Sequence, residues 1–532
     1  MILIEQEAAT AFPPTLKGGV SCSILDEECK YLLMLAAVLA FTLLSRAYHA
    51  GDGIGGYHSW NEATYTLKAQ DVLKNPLEYP SRGGFSFMSP PAYTYLLSLA
   101  FHLFGAGVFV GRMVSIAFSC VSLYLLYALG SRIYDRKVGL TAAAFACLIP
   151  LHVMVGRNIQ TDIVVACFQL AALVAYLDWR KSKDARMLHL AAVTVGVGFW
   201  FKPTALLMMP VVAIYETVLA RNIRWPTRQH IHALLIAAII TSPFIVWGLL
   251  THRGQLGQVA EVVAGGHEAS SLTNALDYYF SELLWGLSPP ILLLLILYVI
   301  TPIKRLSEHD LLPTTYLAVF LAFFLVYNYH SYYLLPVAFP AALLAAKVVC
   351  SITDGRLSQL FTAVILAFLL LNSLLMLGAQ KYGYNALRDL PSKIRPGEGS
   401  AVVISDSVDG SYGPIVRYYL PGTEVIVQEG LNKSKVPPET YETKNVYVLA
   451  NFNEIDAKNL PLEDQKELLK RALMKEYYGL SLGTHSIYVK FKSIHAFKLM
   501  GLEVMKNKQP MWGVQTLFVI PEFYAIESGN LA

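Results

Sequence analysis

The feature that most constrains this fold is a series of apolar runs, each close to the length of a membrane-crossing helix. About 20 apolar residues are needed to span the hydrocarbon core of a bilayer. The sequence offers eleven candidate spans, at 31–47, 109–131, 138–155, 163–179, 187–201, 204–220, 229–250, 286–303, 311–328, 332–350 and 358–378. The pattern therefore predicts a polytopic α-helical membrane protein.

Composition agrees with this prediction. Hydrophobic residues make up 55% of the 532-residue chain and charged residues 15%, and the mean hydropathy is +0.45. So few ionisable side chains cannot solvate a globular surface of this size, which excludes a soluble enzyme and intrinsic disorder. Most of the six cysteines lie inside apolar runs, so a secreted disulfide scaffold is excluded as well.

Basic residues indicate the orientation, because Lys and Arg in short loops are retained in the cytoplasm. They cluster in alternate connections, at 132–137, 180–186, 221–228, 304–305 and 356. The opposite short connections, at 156–162, 202–203 and 329–331, contain only Arg157 and Lys202. The sequence thus predicts a cytoplasmic tail over residues 1–29 and an external carboxyl end. The net charge of +4 is an orientation signal and does not indicate nucleic-acid binding.

The apolar segment 90–104 is predicted to lie along the membrane surface. At about 1.5 Å per residue it covers roughly 22 Å, which is short of a hydrocarbon core of about 30 Å. Counting it as a span would also turn every basic loop outward. It ends the first external loop, 48–108, which is the longest polar connection in the membrane region 30–380.

Beyond residue 380 the hydropathy changes, and residues 381–532 are predicted to form a soluble, extracytoplasmic α/β domain. Short β-rich runs occur at 401–405, 423–428 and 444–450, with further strand-like runs at 485–492 and 514–520. An amphipathic helix is predicted between them, at 462–478.

Candidate catalytic carboxylates are Glu62 and Asp162. An amphipathic helix fits Trp60 to Leu73, with Glu62 in its first turn, where the helix dipole also accommodates an ordinary acid. Asp162 stands at the outer mouth of a span beside Arg157. Ionisable groups at membrane depth are costly and often functional, although helix capping explains Asp162 equally well.

Lys202 and His330 lie at outer turns between spans. Snorkelling explains a lone lysine there, and an interfacial aromatic belt explains His330 with its neighbouring tyrosines, including Tyr333. The orientation nevertheless places all these groups on one face, together with His267 in the loop 251–285. Carboxylates beside cations can deprotonate an acceptor hydroxyl and bind a phosphate leaving group.

The chain resembles the C-type membrane glycosyltransferases of the protein-mannosyltransferase-like family (family 39), particularly the lipid A aminoarabinose transferase branch. The resemblance rests on five features, namely Asn61-Glu62-Ala63-Thr64-Tyr65, the Pro90-Pro91 to Gly105 segment, Asp162, Lys202-Pro203 and Tyr332 to Pro336. Asn61 replaces the first acid of the family's pair, so Glu62 or Asp52 must supply that carboxylate if one is needed. Ser89 replaces a lysine of the aminoarabinose branch.

The resemblance implies an inverting transfer of a sugar from a polyprenyl- or dolichyl-phosphate carrier to an external lipid, glycan or protein acceptor. Glu62 is expected to be the base, well solvated and weak unless the long external loops exclude water from it, and Asp162, beside Arg157, to organise the site, although the reverse assignment stays open. Lys202 and Arg157 would offset the phosphate charge. The implied substrate-binding residues are Asn61, Tyr65, Arg157, Lys202, His267, His330 and Tyr333.

Two other functions stay open. A transporter or flippase of lipid-linked sugars would also be polytopic, but the sequence has no clear internal repeat and its ionisable residues gather at the outer edge. An inactive relative that binds a partner is consistent with Asn61. No cofactor is certain, and use of a divalent metal stays open because no spacing of His, Asp and Glu forms a ligand set.

Overall fold

The computed structural model describes residues 27–54, 59–76, 89–219, 227–251, 283–284, 286–300, 308–326, 331–352, 355–382, 401–405, 413–428, 446–451 and 523–527. His267, His330, the predicted helix 462–478 and the strand-like runs 485–492 and 514–520 lie outside these residues.

The amino-terminal half of the described chain is helical. Its α-helices are α1 (Glu27–Ala47), α2 (Ser59–Lys74), α3 (Ala92–Phe104), α4 (Val108–Ile133), α5 (Arg136–Leu148), α6 (Pro150–Val155), α7 (Asp162–Ser182), α8 (Ala185–Phe199), α9 (Met208–Leu219) and α10 (Arg228–Thr251). Pro150 lacks a backbone N–H, and it divides the predicted span 138–155 into α5 and α6. The turn between α8 and α9 contains a 3₁₀ segment, Pro203–Leu207.

The remaining membrane-region helices are α11 (Pro289–Ile300), α12 (Glu308–Val326), α13 (Leu335–Cys350) and α14 (Gly355–Tyr382), with a 3₁₀ turn at Ser331–Leu334 before α13. A helix therefore lies at each of the eleven predicted spans. Six helical segments among the described residues are long and apolar enough to cross a membrane, and four further apolar helices are shorter. The predicted number of spans and their orientation stay predictions.

Burial separates the interior of the helical region from its periphery. Most side chains of α7 and α13 are buried, whereas α1, α10 and α14 expose many large apolar residues, including Leu44, Ile239 and Val364. Exposed aliphatic side chains on spanning-length helices match a lipid environment. The interior helices α7 and α13 thus form a fixed support for groups at their ends.

Glycines allow α4 and α5 to pack at backbone distance. A Cβ atom added at Gly130 would lie 2.7 Å from the Cα of Gly139. Only hydrogen fits at that separation. This contact fixes α4, which carries Arg112 toward its other end.

The described carboxyl-terminal elements are β1 (Ala401–Ser405), α15 (Gly413–Tyr419), β2 (Glu424–Gln428), β3 (Val446–Asn451) and β4 (Phe523–Glu527). The sheet order is β2-β1-β3-β4, with β1 parallel to β2 and β3, and β4 antiparallel to β3. The first three strands lie where the sequence predicts them. That residues 381–532 form a soluble external domain stays a prediction.

Candidate active site

Glu62 lies in the first turn of α2 and is fully buried. Its Oε1 accepts a hydrogen bond from Arg112 Nε at 2.9 Å, and its Oε2 accepts one from an Arg112 terminal nitrogen at 2.8 Å. The backbone N–H of Ile159 also donates to Oε1, at 3.1 Å. Water is therefore excluded from Glu62, which meets the exception to the expected solvation, and the enclosing elements are α4 and the loop before α7.

Arg112 is the partner that the sequence interpretation missed. Its guanidinium also donates to the carbonyl oxygens of Ala50 at 3.1 Å, Asp52 at 2.8 Å and Gly53 at 3.3 Å. One buried cation thus fixes the loop after α1 and the carboxylate of α2 together. Its only sequence signal was a charged residue inside the apolar run 109–131.

Asp162 begins α7 and pairs with Lys202, with 2.5 Å between Oδ1 and Nζ. The side chains of Asp162 and Lys202 are only 5% and 13% exposed. Lys202 therefore does not snorkel to water, and burial lowers the pKa of its ammonium group. Thr161 occupies the N-cap position of α7 without a side-chain cap hydrogen bond. The Asp162 carboxylate, at the first helical residue, accepts from a backbone N–H and from Thr161 in addition to Lys202.

Arg157 does not occupy the predicted position beside Asp162 as its ion partner. Its guanidinium donates to the carbonyl oxygen of Tyr48 at 3.0 Å. Burial, followed by repulsion from Arg112, lowers the pKa of Arg157 to about 10. Arg157 therefore belongs electrostatically to the group around Glu62.

Tyrosines surround the Asp162–Lys202 pair. Lys202 Nζ lies 4.0 Å from the centroid of the Tyr333 ring and 5.3 Å from that of Tyr332, within the range of cation–π attraction. Asn61 forms a side-chain hydrogen bond with Tyr332. These rings exclude water from the lysine while leaving it attracted to anions.

Tyr65 connects α2 with the same pair. Its ring packs edge to face against Tyr93, with 4.9 Å between centroids. Burial raises the pKa of the Tyr65 phenol, which also hydrogen-bonds with Thr161 and Ser89. Helix α2 thus carries Glu62 of one pair together with Asn61 and Tyr65, which bond to neighbours of the other pair. The loop 156–161, which ends at Asp162, contacts Glu62 through the N–H of Ile159.

No cluster of three or more His, Cys, Asp and Glu side chains suited to a metal ion occurs in the part of the chain that the structure describes.

The chain is similar to known proteins in both sequence and fold. Residues 88–247 match the family described as dolichyl-phosphate-mannose-protein mannosyltransferase. The fold is similar to that of ArnT from Cupriavidus metallidurans bound to undecaprenyl phosphate, with a TM-score of 0.57 and 12% identity, covering 80% of this chain and 94% of that chain. The chain has the fold of a C-type membrane glycosyltransferase. The resemblance in layout to the aminoarabinose transferase branch is thereby confirmed.

A second C-type glycosyltransferase structure has the same fold. Archaeal oligosaccharyltransferase AglB from Archaeoglobus fulgidus, in complex with an inhibitory peptide and a dolichol-phosphate, gives a TM-score of 0.52 and 14% identity, covering 80% of this chain and 69% of that chain. No curated protein matches the chain by sequence. At these identities the similarity establishes the C-type fold alone.

Proposed function

We propose that this protein is an integral-membrane glycosyltransferase that moves a sugar from a polyprenyl- or dolichyl-phosphate carrier to an acceptor on the extracytoplasmic face. The observation that carries the proposal is the buried Asp162–Lys202 pair, covered by Tyr332 and Tyr333, in a C-type fold. In this proposal the amino terminus is cytoplasmic, and residues 381–532 lie outside. The acceptor is a lipid, a glycan or a protein.

A lipid-phosphate donor agrees with the chemistry of Lys202. A buried ammonium group beside aromatic rings attracts an anion strongly, because little water competes for it. Soluble nucleotide sugars are made in the cytoplasm, whereas this site is assigned to the opposite face. The structures of similar fold were solved with undecaprenyl phosphate and with a dolichol-phosphate, which is the class of carrier we assign to this chain.

In the proposed reaction, an acceptor hydroxyl oxygen attacks the anomeric carbon of the donor sugar. The bond between that carbon and the phosphate oxygen breaks, and the free lipid phosphate leaves. Asp162 takes the proton of the acceptor hydroxyl, and Lys202 offsets the charge that develops on the departing phosphate. A single displacement inverts the anomeric configuration.

Glu62 is assigned a positioning role, which reverses the expectation from the sequence. A carboxylate that accepts two hydrogen bonds from Arg112 and one from Ile159 has its proton-accepting capacity largely occupied. The Asp162 carboxylate pairs with Lys202 and also accepts hydrogen bonds from Thr161 and a backbone N–H. Its ion partner is an ammonium group that a donor phosphate can draw away. Asn61, Tyr65, Arg157 and Tyr333 are proposed to contact substrate around these two pairs.

The test is incubation of purified protein with a panel of polyprenyl- and dolichyl-phosphate sugars, with measurement of the free lipid phosphate released. Lys347→Met is a matched control for Lys202→Met, because Lys347 also lies over a tyrosine, 5.0 Å from the ring centroid of Tyr134, but outside this site. We expect release by the wild type and by Lys347→Met, and a marked loss in Lys202→Met. Movement of the lipid-linked sugar across a vesicle membrane without release of lipid phosphate would indicate a flippase instead. If the wild type shows neither movement nor release, the protein is an inactive relative.

A further inference from the structure

The carboxyl-terminal helix α15 packs directly against the region of the candidate active site. Ile415 and Val416 of this helix are fully buried, and Leu420 just after it is 5% exposed. These side chains belong to the same apolar core as residues of α2 and α3, including Ala63 and Tyr93. The helix is therefore part of the wall around α2.

A polar contact accompanies this apolar packing. The Tyr419 hydroxyl donates to the carbonyl oxygen of Ile54 at 3.1 Å. Ile54 is itself buried. Burial raises the pKa of the Tyr419 phenol, and the charged groups that act on it electrostatically are Arg112 and Glu62. Tyr419 thus lies beside the buried pair, and its described hydrogen bond goes to the Ile54 carbonyl.

Ile54 is the last described residue of the loop that Arg112 holds. The carbonyl oxygens of Asp52 and Gly53, immediately before it, accept hydrogen bonds from Arg112. Arg112 in turn holds Glu62, and Glu62 accepts from the N–H of Ile159. Hydrogen bonds, together with the peptide chain of loop 50–54, therefore connect Tyr419 in the carboxyl-terminal region to Ile159, in the loop that ends at Asp162.

We propose that Tyr419 is a positioning residue for the active site, and that helix α15 holds loop 50–54 so that Arg112 keeps Glu62 and Ile159 in place. The catalytic consequence rests on the proposed function, whereas the positioning of Ile159 does not. The physical reason is the burial of Arg112. If a carbonyl oxygen of loop 50–54 moves away, water cannot take its place unless the guanidinium changes its other contacts.

The N–H of Ile159 provides a reporter that needs no activity, because its exchange with solvent deuterium requires loss of the bond to Glu62. Hydrogen exchange of the full chain in nanodiscs should be compared for wild type, Tyr419→Phe and Arg417→Met. Arg417 lies on the same helix, but its guanidinium donates to the Val425 carbonyl, within the carboxyl-terminal elements. It therefore controls for a general loosening of those elements.

We expect Tyr419→Phe to speed exchange in peptides covering 50–54 and 156–162 by roughly three- to tenfold, the range for one lost hydrogen bond. Arg417→Met should leave both peptides unchanged. Equal exchange in wild type and Tyr419→Phe would overturn the proposal, and so would equal acceleration in both variants. A lowered unfolding temperature in Tyr419→Phe alone, without faster exchange at 156–162, would also overturn it.

A second measurement tests the consequence for transfer. Tyr419→Phe should lower kcat for lipid-phosphate release by roughly three- to tenfold in the wild-type background, and should add little in a Glu62→Gln background, because both changes act through the same contacts. If the two substitutions instead lower kcat by factors that multiply, Tyr419 does not act through Glu62. If exchange changes as expected but no donor supports release by the wild type, the proposed function fails while the positioning of Ile159 stands.

Discussion

At the residue scale, the site depends on two buried ion pairs with different exposure to substrate. Glu62 is enclosed by Arg112 and Ile159, whereas Asp162 and Lys202 meet beneath tyrosine rings. A buried pair contributes little net stability, but removal of one partner leaves an unpaired charge. Substitutions at the two pairs should therefore fail in different ways.

Lys202→Met should raise the activation free energy of transfer by on the order of 1.5–3 kcal/mol, the value of a charge-assisted hydrogen bond to the phosphate. Membrane insertion should stay normal, since Met preserves the apolar stem, but the buried Asp162 carboxylate loses its cation, so folded protein is quantified by its thermal unfolding before rates are compared. The measurement is the rate of lipid-phosphate release at matched protein concentration. Full activity in this variant would remove Lys202 from the mechanism.

Glu62→Gln should act chiefly on stability. The amide keeps the shape but leaves the buried Arg112 guanidinium without a counter-charge, which costs about 3–5 kcal/mol. Thermal unfolding in detergent should show a clear decrease in midpoint temperature, larger than that of Asp52→Asn, because Asp52 contacts Arg112 through its backbone carbonyl. A stable Glu62→Gln protein without activity would instead return Glu62 to the role of base.

The residue types of this site were predictable from the sequence, but their pairing was not. Asp162 and Lys202 attract attention because charged residues interrupt apolar runs. Their mutual contact joins residues 40 positions apart, and the contact between Tyr419 and Ile54 joins residues 365 positions apart. Proximity in sequence was misleading for Arg157, because the loop before α7 directs its side chain to the Tyr48 carbonyl.

At the element scale, the position of Arg112 depends on how α4 packs against α5. Helix locations followed from apolar run length. The break at Pro150, inside the predicted span 138–155, was not predicted, although the chemistry of proline explains it. The close approach of Gly130 to Gly139 had no periodic signal, because a glycine in an apolar run does not specify its neighbour.

Gly130→Ala should therefore destabilise the protein by about 1–3 kcal/mol, the usual cost of overpacking. The added methyl group would lie 2.7 Å from the Gly139 backbone. Gly355→Ala, at the start of α14, is the matched control, since a Cβ there meets nothing within 4 Å. Thermal unfolding should distinguish the two, and equal midpoints would contradict the packing described here.

At the scale of the whole molecule, the active site and the carboxyl-terminal region are proposed to face the same side of the membrane. The contact between Tyr419 and Ile54 is consistent with this arrangement. Basic residues in alternate loops favour the cytoplasm for the opposite side.

Cysteine labelling in sealed, right-side-out vesicles tests this topology. A cysteine introduced at Asn432 should react with an impermeant reagent from outside, and one introduced at Ser182 only after permeabilisation. A background without the native cysteines is needed to keep the signal specific. The reverse labelling pattern would place the site on the cytoplasmic face and remove the argument for a lipid-linked donor.

The central claim is that Asp162 is the base in transfer from a lipid-phosphate sugar. The most direct measurement compares wild type with Asp162→Asn at equal amounts of folded protein, following the release of free lipid phosphate from the donor that the wild type uses. Asparagine keeps the shape of the side chain but cannot accept the proton, so release should fall by roughly 100-fold or more. Equal rates in the two proteins would contradict the account.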